Sequence, residues 1–160
     1  MLDHKRLSIY LNDHLAGSTT GLELARRTLS ENRGTRYDEL LQWLVREIGE
    51  DRQSLLELMQ RVGVRPDRVK QAIGWSLEKV GRLKLNGSLR GYSPLSRLVE
   101  LEGLWTGVEG KRSLWRALLS LPDDPRLDKA KLAELESRAR AQLDRIDEHR
   151  NTAAAEAFSA

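Results

Sequence analysis

The sequence predicts an all-α protein, an antiparallel up-down four-helix bundle with an additional fifth helix at its carboxyl end. Apolar residues recur every three or four positions through five long segments, as they do on one face of a helix. Short stretches rich in Gly, Pro, Asn and Asp separate most of these segments. Four apolar stripes joined by short connections are buried most simply against one another, in a bundle.

The first two helices are predicted over residues 5–30 and 37–62. The first carries Gly17 and Gly21 beside its apolar stripe, and the second places Asp51 within its apolar side. Glycine costs about 1 kcal/mol relative to alanine inside a helix. The glycine pair therefore indicates that another helix approaches closely there.

A third helix is predicted from residue 66 or 67 to residue 83, and a loop over residues 84–92. The fourth helix, residues 93–121, begins with Ser93 as N-cap and Pro94 at the first helical position. One of its faces is broadly apolar, and the opposite face gathers Gly103, Gly107 and Gly110.

The fifth helix is predicted over residues 128–149, where a narrow apolar stripe, or seam, runs along a helix that is otherwise highly charged. The alanine-rich residues 151–160 are expected to fray or to be partly helical. We assign residues 1–122 to the bundle and residues 123–160 to a helix appended to the same domain.

Composition is that of one globular domain. The 160 residues are 39% hydrophobic and 32% charged, which suits a buried core and excludes a membrane span. The first ten residues lack the apolar run of a secretory signal, and there is no cysteine for a disulfide or a thiolate metal site. We expect a cytoplasmic protein without a membrane partner.

The overall charge does not favour nucleic acid. The pI is 9.4, but 27 Lys and Arg face 24 Asp and Glu, for a net charge of only +3. This balance is typical of a solvated, salt-bridged surface.

Three phrases of the sequence resemble a known group of proteins. YLNDHLAG, EIGEDRQSLLELMQRVGV and RLKLNGSLRGYSPLSRLVELEGL are similar to phrases of a group of small bacterial proteins with a ferritin-like four-helix bundle. The resemblance covers about residues 7–121. It implies a ferritin-like fold and a bacterial source, and it implies no activity.

A ferritin-like bundle raises the hypothesis of a paired-metal centre. Such a centre needs an inward Glu on each of two helices and a Glu-x-x-His on each of the other two. None of the three histidines follows a glutamate by three positions. The remaining candidates for a metal site with a non-standard ligand set are Asp51, Glu102, Glu109 and His14.

The sequence favours a structural explanation of the same acids. Asp51 would belong to an internal ion-pair layer that fixes helix register, with Arg52 or Arg112 as its partner. No nucleophile motif with its helix-and-strand context occurs either. We therefore expect no enzymatic activity and no cofactor.

A second alternative is binding of phosphate or a nucleic-acid backbone before the fourth helix. A basic cluster near a helix N-terminus can hold such an anion. Its candidates are Arg82, Lys84, Arg90 and Arg97. The favoured interpretation is that Asn86, Gly87 and Gly91 form turns and that the basic side chains are solvated.

The glycine face of the fourth helix is the last candidate. It is covered either by the fifth helix, by the first helix through its own glycines, or by a second copy of the protein. The candidate interface residues are Gly103, Gly107, Leu114 and Leu121. We expect a homodimer or a higher homo-oligomer that acts through self-association or partner binding.

Overall fold

The computed structural model describes residues 2–67 and 91–159, which form four α-helices and no strand. The helices are α1 (His4–Glu31), α2 (Asp38–Arg61), α3 (Pro94–Leu119) and α4 (Lys129–Phe158). The prediction of an all-α fold is confirmed for this part of the chain. Residues 68–83 of the predicted third helix and 84–90 of the loop lie outside the described residues.

Helix ends follow local sequence signals. The Asp3 side chain caps α1 by accepting from the Arg6 amide at 3.1 Å, and Asp128 caps α4 in the same way. The predicted N-cap of α3 is confirmed, because Ser93 and Ser96 form a reciprocal capping box ahead of the first turn. Gly63, with a φ of 73°, follows the end of α2.

The C-terminal helix runs past its predicted end near residue 149. Of the two expectations for the alanine-rich residues, the helical one is confirmed and fraying is not. The helix continues to Phe158, nine residues further. Two tertiary interactions hold the extra turns in place. Ala153 is fully buried, and Glu156 binds Arg97 and Tyr37.

Contacts at the helix ends fix the directions of α1, α2 and α3. The start of α1 meets the end of α2, where His4 Nε2 lies 3.2 Å from the Val62 carbonyl oxygen. Beyond the end of α1, Asn32 lies against Tyr92, just before α3. Helix α1 is therefore antiparallel to both α2 and α3.

Helix α4 is antiparallel to the same two helices. At its start, Lys129 Nζ donates to the carbonyls of Leu118, Leu119 and Leu121 at the end of α3. Near its end, Glu156 accepts from Tyr37, just before α2. Because α2 and α3 run in the same direction, the end of α2 and the start of α3 lie at opposite ends of the bundle.

The core lies among all four helices. The predicted apolar seam of α4 is buried against α3 and α2, and this seam comprises Leu132, Leu135, Ala139, Leu143 and Ile146. The C-terminal helix is thus one wall of the described bundle and not an addition at its surface. No helix in the described ranges is long and apolar enough to cross a membrane.

Candidate functional site

A cavity of about 450 Å³ lies between α1, α2 and α3. Its base is made by α2 and the core side of α3, where Asp51 and Trp115 are buried. Glycines form much of its mouth, where Gly17 and Gly107 are exposed. The cavity is therefore open to solvent and lined mostly by apolar side chains, among them Ile48, Leu55, Leu104, Val108 and Leu114.

The glycines explain why this space exists. A Cβ atom on Gly103 would lie 3.1 Å from Leu24 Cδ2, so α1 and α3 are in close contact there. A Cβ atom on Gly17, Gly21, Gly107 or Gly110 would meet no atom of the described residues within 4 Å. Within the described part, the predicted close approach is made at Gly103 and not at the two glycines of α1.

A cluster of charged and polar side chains adjoins the base of the cavity, where two of its members, Asp51 and Lys111, line the space. We call it the floor cluster: Glu47, Asp51, Lys111, Arg138 and Gln142. Lys111 Nζ donates to Asp51 Oδ2 and to Gln142 Oε1. Gln142 Nε2 donates to Asp51 Oδ2 at 2.9 Å, and Arg138 Nη2 lies 3.4 Å from Asp51 Oδ1. Helices α2, α3 and α4 are thereby joined at one level.

The partners predicted for Asp51 are wrong. Arg112 pairs with Glu136 and Glu109, and Arg52 Nε lies 3.4 Å from Thr19 Oγ1. The partner of Asp51 is Lys111, which stands four residues after Gly107 and lines the cavity from α3.

Burial affects the charge of the floor cluster. It lowers the pKa of the Lys111 ammonium, and the Asp51 carboxylate opposes that shift. The Asp51 carboxylate therefore helps to keep the half-buried Lys111 side chain in its charged form. Asp51 Oδ1 makes no hydrogen bond within the described part of the chain, although Arg138 is near it.

Aromatic side chains complete the cavity wall. Tyr10 and His14 of α1 pack edge to face, with ring centroids 4.6 Å apart. Burial lowers the pKa of His14 below its ordinary value, and the nearby Asp13 carboxylate opposes that shift. Trp115 is fully buried, and its Nε1 has no hydrogen-bond partner among residues 2–67 and 91–159.

The four candidate metal ligands do not come together. His14 and Asp51 line the cavity, whereas Glu109 pairs with Arg112 at 3.3 Å and Glu102 lies 3.8 Å from Arg150. The described ranges contain no group of three or more His, Asp or Glu side chains placed to hold a metal ion. At Asp51, the Lys111 ammonium occupies the position that a cation would take.

The candidate anion site is not supported at its one described residue. Arg97 donates to Asn32 Oδ1 at 2.6 Å and to Glu156 Oε2 at 3.0 Å, and its guanidinium lies over the Tyr37 ring. These contacts leave it unavailable to an external phosphate. The other three candidates, Arg82, Lys84 and Arg90, lie outside the described residues.

The four candidate interface residues do not form one exposed face. Leu114 is 1% exposed and lines the cavity. Gly107 lies at the cavity mouth and Gly103 packs against α1. Leu121 is partly buried in a shallow groove with Leu2, Leu7, Tyr10, Ala117 and Leu118.

A second polar cluster lies at the end of the bundle where α1 and α4 end and α2 and α3 begin. We call it the end cluster: Arg27, Asn32, Tyr37, Tyr92, Arg97, Glu100 and Glu156. Asn32 Nδ2 donates to Tyr92 Oη at 2.7 Å, and Tyr92 donates to Glu100 at 2.9 Å. Arg27 Nε donates to the same carboxylate at 3.0 Å. The cluster ties the ends of all four helices together.

Comparison with protein-family models, with curated proteins and with solved structures finds no match to this chain. Its function has to be inferred from the residues of the cavity.

Proposed function

We propose that this protein is a binding protein without catalytic activity, which holds a small and mainly apolar molecule in the cavity between α1, α2 and α3. The observation that carries the proposal is the cavity itself. It is open at a glycine-rich mouth, apolar in its walls and polar at its base. A concave apolar site with a few convergent polar groups is the usual form of a small-molecule site.

Helix energetics support this use of the space. Alanine would stabilise a helix by about 1 kcal/mol relative to glycine at an interior position. Around the mouth, no atom of residues 2–67 or 91–159 lies within 4 Å of a Cβ atom built on four glycines, namely Gly17, Gly21, Gly107 and Gly110. The sequence therefore keeps the mouth wide at a cost of roughly 4 kcal/mol in helix propensity.

The polar groups of the cavity favour binding over catalysis. Lys111 is held by Asp51 and Gln142, and the Ser18 hydroxyl donates to the Leu15 carbonyl at 2.7 Å. A nucleophile needs a base within hydrogen-bond reach. These two groups are instead engaged in contacts that stabilise the fold.

The proposal includes a ferritin-like topology, a bacterial source and a cytoplasmic setting. Helices α1 and α4 run in one direction and α2 and α3 in the other, which fits a bundle with one long crossover connection, as ferritin-like folds have. A paired-metal centre is not part of it, because Lys111 already neutralises Asp51.

The test is a titration with N-phenyl-1-naphthylamine, an uncharged apolar dye that fluoresces in apolar sites. We expect the wild-type protein to bind it and Gly107→Leu to lose most of that binding, because the new side chain narrows the mouth. Gly49→Leu is the matched control, since no atom of the described ranges lies within 4 Å of a Cβ atom on this helical glycine either, and Gly49 does not line the cavity. Equal binding by both variants would contradict the proposal, as would no binding by the wild type.

Self-association is a second proposal, and exposed apolar residues near the shallow groove favour it. Ile9 is 48% exposed and Tyr10 is 36% exposed, and Tyr10 lines the groove that includes Leu121. We expect Ile9→Glu to lower the mass measured by light scattering. Leu95→Glu, at the opposite end of the bundle and 51% exposed, should leave the mass unchanged. A wild-type mass equal to one chain would contradict a homo-oligomer.

A further inference from the structure

We infer that a second copy of this protein docks on one exposed face of α1, formed by Arg6, Ile9, Tyr10 and Asp13, which we call the outer face. The two α1 helices are antiparallel there, and a twofold axis passes between Ile9 and Tyr10. Arg6 of each copy then lies opposite the partner's Asp13. This inference rests on the proposed self-association and names the surface and the register through which it occurs.

The outer face is turned away from the other described helices. At about 100° per residue, its four side chains project within roughly 100° of one another, on the side of α1 opposite the buried Leu11. All four residues are exposed. Two of them, Ile9 and Tyr10, are large apolar residues that lie side by side in contact with water. The face therefore has an apolar centre that a second surface can bury.

The charges of the outer face are arranged symmetrically about this apolar centre. Arg6 stands three residues before Ile9, and Asp13 stands three residues after Tyr10. A twofold axis between the two apolar residues brings each arginine opposite the partner's aspartate. An interface between identical surfaces has to be self-complementary in this way, whereas an unrelated partner needs no such symmetry in this chain. The charge pattern therefore favours a second copy as the occupant.

Both charges can reach a partner. The Arg6 side chain is 89% exposed, and its pair with Asp3, at 3.3 Å, lies at the surface. Asp13 is exposed as well, and it also interacts within its own chain. Exposed ion pairs contribute at most about 1 kcal/mol, so sharing these groups with a second copy costs little. Packed helices lie about 8–10 Å apart, a distance that an arginine and an aspartate side chain bridge together.

A shallow apolar groove continues the outer face towards α3. Tyr10 belongs to both, and the groove extends through Leu7, Leu118 and Leu121. The apolar surface available to a second copy is therefore wider than one helix. It also places Leu121, a candidate interface residue, at the edge of the same contact.

Charge reversal tests the register. Arg6→Glu puts two acidic side chains opposite each other at both ends of the contact, and Asp13→Arg does the same with two basic ones. We expect each variant alone to raise the dimer dissociation constant about tenfold in sedimentation equilibrium, because two weak pairs change from attraction to repulsion. An equimolar mixture of the two variants should restore association, because every pair between unlike chains then joins opposite charges.

Arg26→Glu is the matched control. Arg26 is another exposed arginine of α1 that pairs with an acid three residues before it, as Arg6 does, but it projects from a different side of the helix. It should leave the dissociation constant unchanged, with circular dichroism showing that all three variants are folded. Sodium chloride should weaken the wild-type dimer, because it screens exposed charge pairs, and this measurement needs no variant.

Two kinds of failure are distinguishable. A wild-type mass equal to one chain would contradict self-association itself. A wild-type dimer that is insensitive to salt or to Arg6→Glu would overturn the inferred register while leaving self-association intact. A mixture of the Arg6 and Asp13 variants that associates no better than either variant alone would overturn it in the same way.

Discussion

The end cluster and the floor cluster each combine buried with half-buried polar side chains, but they differ in how completely their groups are paired. In the end cluster, Arg97 bonds to both Asn32 and Glu156, and no side-chain atom of the described cluster is buried without a partner. In the floor cluster, Asp51 Oδ1 makes no hydrogen bond within the described ranges, and the cavity lies beside it. Complete pairing is usual for buried polar groups of a fold, whereas a buried atom without a hydrogen bond calls for a specific explanation. At Asp51 Oδ1, the neighbouring cavity offers that explanation in a bound molecule.

The largest expected effect is at the floor cluster. Asp51→Ala removes the carboxylate that balances Lys111 and leaves a buried ammonium unpaired. We expect the free energy of unfolding to fall by about 3–5 kcal/mol, measured by urea denaturation. Glu102→Ala is the control, because its pair with Arg150 is exposed and should contribute less than about 1 kcal/mol. A loss below about 1 kcal/mol in the Asp51 variant would show that the pair does not matter to the fold.

A smaller loss is expected at the end cluster. Arg97→Met removes two charge-assisted or polar hydrogen bonds, to Glu156 and Asn32. We expect a loss of about 2 kcal/mol in the free energy of unfolding with unchanged affinity for N-phenyl-1-naphthylamine. Weaker dye binding in the folded variant would mean that the end cluster also affects the cavity, and would contradict a purely structural role for it.

Alkaline pH should weaken the end cluster. Burial, followed by the hydrogen bond to Glu156, raises the pKa of Tyr37 from 10.0 to about 12. Folding therefore favours the protonated phenol, so this stability is complete below pH 10 and is lost as the pH rises from 10 to 12. Unfolding followed by circular dichroism should show this decline. Tyr37→Phe should reduce its slope, and an identical slope in that variant would contradict the assignment.

The smallest effect distinguishes two glycines of α3. Gly107→Ala should raise the free energy of unfolding by about 0.5–1 kcal/mol, because helix propensity improves and the new Cβ atom meets no atom of the described part of the chain within 4 Å. Gly103→Ala should gain less or lose stability, since its Cβ atom would lie 3.1 Å from Leu24. Thermal unfolding of the two variants measures the difference. Equal gains would show that α1 and α3 do not pack closely at Gly103.

The sequence predicted helix ends correctly where neighbouring residues alone determine them. Ser93 and Pro94 set the start of α3 through the backbone groups of its first turn, and the chain carries those residues in sequence. The end of α4 was missed because nothing in the alanine-rich tail shows that Glu156 meets Arg97, which is distant along the chain. Tertiary contact extended the helix beyond its local pattern.

The candidate site was only partly predictable for a related reason. Asp51 stood out as an acid on an apolar stripe, and the glycines of α1 and α3 stood out as costly in helices. Which cation pairs with Asp51 depends on how the helices are rotated against one another, so Lys111 was not distinguished from Arg52 or Arg112. The open space beside the glycines also depends on where α1 and α3 separate.

The most direct test of the binding function is a crystal structure of the full chain with N-phenyl-1-naphthylamine. We expect electron density for the naphthalene group of the dye between Gly17 and Gly107, against the apolar side chains of the cavity. A cavity filled by the protein's own side chains, or a naphthalene bound only elsewhere on the surface, would contradict it.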